Sequence, residues 1–94
     1  MNESTKIYIA KLNNANYQIW KYKLELLLIK EDLWSIIDAD FEKPAIEDDA
    51  YATWKIKDGK ARAHIGLLVE DNQLVHIRRK NNARDMWNVL REHQ

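Results

Sequence analysis

Tyr17-Gln18-Ile19-Trp20-Lys21-Tyr22-Lys23-Leu24-Glu25-Leu26-Leu27-Leu28-Ile29-Lys30 is the stretch that decides the fold class. Tyr17, Trp20, Leu24, Leu27 and Leu28 recur at helical spacing and form one apolar stripe. Ile19, Tyr22, Leu26 and Ile29 form a second. Two stripes predict a helix covered on more than one side, and so the central helix of a bundle. Lys30 in the last turn suits the negative end of the helix dipole. Just ahead, Leu12-Asn13-Asn14-Ala15-Asn16 gathers turn formers, with Asn14 or Asn16 as the predicted cap and Leu12 placed as a hydrophobic staple. Residues 1–11 read as a short extended stretch or a loose arm.

Beyond Lys30 the same reading continues. Asp32 is the predicted cap of a short helix holding Leu33, Trp34, Ile36 and Ile37. An acidic loop follows, with Asp38, Asp40 and Glu42, and Pro44 opposes helix at Lys43 before it. A long helix is predicted from about Glu47-Asp48-Asp49, acids that suit a helix start, to Val69. Its buried stripe is Tyr51, Trp54, Ala61, Ile65 and Leu68, interrupted by Asp58. Gly59 marks a point for a bend or break, since mid-helix glycine costs about 1 kcal/mol relative to alanine. Glu70-Asp71-Asn72 ends or re-caps the chain before a short helix with Leu74, Val75 and Ile77. Asn81-Asn82 offers the cap of a last helix carrying Ala83, Met86, Trp87, Val89 and Leu90. The expectation is an all-α, compact, single-domain bundle of about five helices spanning residues 1–94.

The four tryptophans fall one to a helical segment, and each ring buries roughly 200 Å². The predicted core anchors are therefore Trp20, Leu24, Leu27, Trp34, Trp54, Ala61, Ile65, Trp87 and Leu90. Two glycines and one proline in 94 residues leave little room for hairpins. There is no cysteine, which excludes disulfides and thiolate chemistry and suits a reducing compartment. Fifteen basic residues balance fifteen acidic ones, whereas a nucleic-acid-binding domain carries a basic excess. That balance, with the apolar character of each helix's strongest face, disfavours a helix-turn-helix DNA reader. No apolar run reaches the roughly 20 residues of a membrane span, and MNESTKIYIA lacks a signal-peptide core.

Catalysis finds no support in the motifs. His64, His76 and His93 lack zinc-ligand spacing. Ser4 and Ser35 have no nucleophile-elbow context, and no glycine-rich phosphate loop is present. Asp58 alone interrupts an apolar stripe. It reads as a buried acid paired with Lys21, Lys23 or Arg84, or accepting from an indole N–H, because buried charges need partners. The basic run His76-Ile77-Arg78-Arg79-Lys80, with Arg84 near it, opposes the acidic stretch from Asp38 to Asp49. Opposite patches of this kind suit head-to-tail contact between copies, and the basic one suits at most weak, salt-sensitive RNA contact.

The order of these anchors resembles the N-terminal part of Gag from copia-type LTR retrotransposons. The matching pieces are Leu12-Asn13-Asn14-Ala15-Asn16-Tyr17-Gln18-Ile19-Trp20 with Leu24, Leu27 and Leu28, then Asp32-Leu33-Trp34 before Asp38, then Pro44. Trp54, Asp58, Ala61 and Ile65 follow, and Ala83, Trp87 and Leu90 close the pattern. Asn13-Asn14 stands where Asn-Gly is common in the family, and neither a CCHC zinc knuckle nor an aspartic protease signature is present. The resemblance implies a retroviral-capsid-N-terminal-domain-like bundle, no enzyme activity and no cofactor. It implies a structural domain that self-associates into a cytoplasmic virus-like particle around RNA, with itself as partner, no membrane and no small-molecule substrate. The candidate assembly surface is then Asp38, Asp40, Glu42, Arg78, Arg79 and Lys80. A host-adopted adaptor or inhibitor of particle assembly is the alternative. The last residues, from Trp87 to Gln94, break off in mid-pattern, as in a piece of a longer Gag.

Overall fold

The computed structural model describes residues 7–94. They form α1 (Tyr17–Lys30), α2 (Trp34–Ile37), α3 (Tyr51–Leu67), α4 (Asp71–Ile77) and α5 (Ala83–Glu92). The expected all-α bundle of about five helices is what the chain adopts, as a slab of 41 × 40 × 21 Å. Of residues 1–11, read as an arm or extended stretch, 1–6 lie outside the described residues. Residues 7–11 run without helix, and Ile9 is buried.

The centre of the bundle is α5, not α1: α5 packs against α2, α3 and α4. Its inward residues Ala83, Met86, Trp87 and Leu90 are buried at helical spacing. Trp87 stacks on Trp20 at 6.1 Å and 28° and meets Trp34 edge-on at 5.5 Å and 77°. Such offset and T-shaped pairs add about 0.5–1.5 kcal/mol beyond the area they bury. Of the predicted anchors, Trp20, Leu24, Ala61, Ile65, Trp87 and Leu90 are buried, while Leu27, Trp34 and Trp54 are half-buried and packed against the core. The predicted second cover of α1 is absent among the described residues, and Ile19, Tyr22, Leu26 and Ile29 are exposed. Periodicity reports an apolar face, and that face need not meet the rest of the same chain.

Residue 12 ties the segment ahead of α1 to the chain just past α3. The Leu12 N–H donates to the Leu68 carbonyl at 2.8 Å, and the Glu70 N–H donates to the Leu12 carbonyl at 2.9 Å. These bonds make an isolated parallel bridge between Leu12 and Val69. Leu12 is thus a wholly buried pin, four residues ahead of the α1 cap, and not a staple beside it. The pairing also ends α3 earlier than expected. The Leu68 carbonyl at its C-terminal end accepts from the Trp20 indole at 2.7 Å as well, so a helix-end orphan acceptor is satisfied twice.

Other boundaries shift for local reasons. Asn16 occupies the cap position of α1, but its side chain does not cap that helix. It accepts from the Asn13 N–H and donates to the Lys11 carbonyl instead. Asp32 does not cap α2. It sits at φ 60°, with its own N–H on the Ile29 carbonyl and the Leu33 N–H on the Leu28 carbonyl at 2.7 Å. That is the Schellman stop of α1, with aspartate where glycine is usual. Asp48 uses its carboxylate on the Ala50 N–H, a turn that delays α3 to Tyr51. Through Gly59 α3 runs unbroken. The α5 cap is as expected: the Asn82 side chain accepts from the Asp85 N–H at 2.8 Å.

Candidate assembly surface

Asp58 is buried, with both oxygens occupied by groups other than those expected. One carboxylate oxygen accepts from the Ala83 N–H at 2.8 Å, and the other from the Arg62 Nε at 3.1 Å. Arg62 lies one helical turn on, with its outer part in solvent. Lys21, Lys23, Arg84 and an indole are not its partners. The buried acid therefore satisfies the first free N–H of α5 from the flank of α3, where its negative charge also meets the positive end of the helix. This is a structural joint between two helices, made by a carboxylate that is buried.

Arg84 is likewise taken up inside the molecule. Its guanidinium donates to the carbonyls of Ile37 at 3.2 Å, Asp38 at 2.8 Å and Phe41 at 2.6 Å. Charge-assisted bonds of this kind are about twice as strong as neutral ones, so α5 fixes the end of α2 and the acidic loop after it. The loop holds its own shape as well, since the Asp38 carboxylate accepts from the Asp40 N–H at 3.0 Å. Asp40 and Glu42 are exposed and Asp38 is half-buried.

Arg78, Arg79 and Lys80 occupy the turn between α4 and α5, all exposed. None pairs with an acid among the described residues. The Arg78 N–H closes on the Leu74 carbonyl and the Lys80 N–H on the Ile77 carbonyl, so the backbone of the turn is held while its charges face solvent. The predicted acidic and basic patches thus sit on two separate loops, the acidic one between α2 and α3 and the basic one between α4 and α5. Arg84, read with the basic run, belongs structurally to the acidic loop.

Three features escaped the sequence reading. The rings of His76 and His93 stack at 3.8 Å and 13°, across a gap of seventeen positions that no ligand spacing anticipates. Even with this pair, the described residues hold no group of three metal-ligating side chains. Buried Gln73 donates to the Asn14 side chain at 3.0 Å and accepts from Gln94 at 3.3 Å, joining the turn ahead of α1 and the last residue to α4. Lys43 lies over the Trp54 ring at 5.1 Å, beside a surface hollow lined by Phe41, Pro44, Trp54 and Lys57 that does not include Asp58.

The described residues thus form a small all-helical module in which buried Asp58 accepts from the start of α5 and the charged loops face solvent. The family model for the gag polypeptide of copia-type LTR elements matches residues 24–93, and the chain belongs to that family. The opening element from Leu12 to Trp20 lies ahead of the matched span. Over 86 residues the chain is 29% identical to the Retrovirus-related Pol polyprotein from transposon TNT 1-94 of Nicotiana tabacum. That alignment takes in 90% of this chain and only 6% of the relative. No solved structure matches.

Proposed function

We propose that this chain is a non-catalytic structural Gag domain, whose copies pack side by side into a retrotransposon particle shell around RNA in the cytoplasm. The observation that carries the reading is the pair of solvent-facing charged loops on a rigid frame in a copia-type Gag chain. Asp40 and Glu42 stand on a loop pinned by Arg84, and Arg78, Arg79 and Lys80 on a turn closed by its own backbone. A fixed loop presents its charges without the ordering cost a mobile one incurs on association. Opposite patches steer copies together and set their register. The retroviral-capsid likeness of the bundle and any salt-sensitive RNA contact of the basic turn belong to the same proposal.

The test is to change Arg78, Arg79 and Lys80 to glutamate in the longer Gag protein and to image particles by electron microscopy. Malformed or missing particles, with helical circular dichroism of the 94-residue chain unchanged, support the reading. Normal particles refute the role of the patches.

A further inference from the structure

The outer face of α1 is apolar, and the described residues leave it about half exposed. Ile19, Tyr22, Leu26 and Ile29 are between 47 and 58% exposed, whereas Trp20, Leu24 and Leu28 on the opposite face are buried. The exposed four are spaced three, four and three residues apart, the a–d–a–d order of a coiled-coil seam. Lys23 and Lys30 then fall at the two e positions, and Gln18 and Glu25 at the two g positions. All four flanking residues lie at the edges of the stripe, with Glu25 half-buried and the rest exposed. Ile7 and Tyr8, also exposed, extend the apolar area beside Leu26.

From this spacing and charge order we infer that α1 is a homotypic docking face, pairing in parallel, about a two-fold axis, with α1 of a second copy of this chain. The occupant is fixed by charge complementarity. In parallel pairing each g position meets the e position of the following heptad on the partner helix. Glu25 then faces Lys30 of the second copy, and Gln18 faces Lys23. Antiparallel pairing would set lysine against lysine along one edge. The Lys30–Glu31 contact at 3.3 Å is a surface pair, worth little and easily exchanged.

Fourteen residues make a helix of about 21 Å, two heptads long. Such a seam buries less than the roughly 1,200 Å² of a stable specific interface, so the pair is weak, with a Kd on the order of 100 µM. Weak two-fold contacts suit a shell in which many act together. The inference rests on the shell reading for its purpose, but the contact is measurable apart from it.

The experiment is sedimentation equilibrium of the 94-residue chain up to about 1 mM, beside Leu26→Asp and Gln18→Glu. Both substitutions are at exposed positions, and circular dichroism checks that each variant keeps its helices. Concentration-dependent dimers are expected, at least ten-fold weaker in Leu26→Asp. In Gln18→Glu they are expected about three-fold tighter, because two new Glu–Lys pairs form across the parallel seam. A monomer throughout the range, or dimers indifferent to Leu26→Asp, overturns the inference. So does unchanged or weaker pairing in Gln18→Glu, which sets glutamate against Glu25 in the antiparallel arrangement. The longer Gag separates this from the shell reading: no particles from the wild-type protein sinks the shell, whatever α1 does.

Discussion

Helix α1 carries nine apolar residues and α5 five, and the two helices use them differently. In α5 they gather on one side, buried as Ala83, Met86, Trp87 and Leu90, while Asp85, Asn88 and Glu92 turn outward. In α1 the inner stripe of Trp20, Leu24 and Leu28 is matched by an outer one that stays about half exposed. The inner faces are accounted for by the roughly 25 cal/mol per Å² that burial contributes. The outer face of α1 makes no such contribution to this fold, and exposed apolar stripes on one helix mark contact with something else.

The sharpest way to break that comparison is to truncate one leucine on each helix. Leu90→Ala, in the wholly buried face of α5, is expected to cost about 2–5 kcal/mol in urea unfolding, from lost transfer energy and the cavity left. Leu26→Ala, on the outer face of α1, should stay within about 0.5 kcal/mol of the parent at concentrations where the chain is monomeric. Equal losses would mean that the outer stripe belongs to the core.

The start of α5 provides the next test. Asp58→Ala leaves the buried Ala83 N–H without its acceptor and should cost about 1–3 kcal/mol. Asp58→Asn keeps an oxygen there and should recover part of that loss, as seen in denaturation midpoints. If both variants cost the same, the pairing with Arg62 and not the cap is what matters.

The end of α1 should respond in the opposite direction. Asp32 holds φ 60° at the Schellman stop, and glycine adopts that conformation without strain. Asp32→Gly is expected to stabilise by about 0.5–1 kcal/mol, because the ion pair it loses to Lys57 has its carboxylate largely in solvent. Loss of stability in this variant would show that the Lys57 contact outweighs backbone strain.

The smallest effect concerns the first residue of α1. Burial pushes the Tyr17 phenol above its ordinary value, and the Arg91 guanidinium opposes the shift. The folded chain therefore holds that proton more tightly than the unfolded chain. The stabilisation is complete below the unfolded value near 10 and fades as pH rises through the raised one. Tyr17→Phe should flatten the alkaline limb of stability against pH, measured by thermal melts from neutral to strongly alkaline solution.

Sequence alone determined what short-range physics controls. The helical periods of α1, α3 and α5, the Asn82 cap, the place of the tryptophans and the absence of hairpin chemistry all act within one or two turns, so they can be read from residues in order. Tertiary structure decided what depends on distant neighbours. Asp58 meets a backbone N–H 25 residues on, and Arg84 reaches carbonyls 43 to 47 residues back. Leu12 pairs with Val69, far on in sequence, at the end of α3. A repeat of apolar residues states that a face avoids water, but only the packed chain shows which of two such faces the molecule covers by itself.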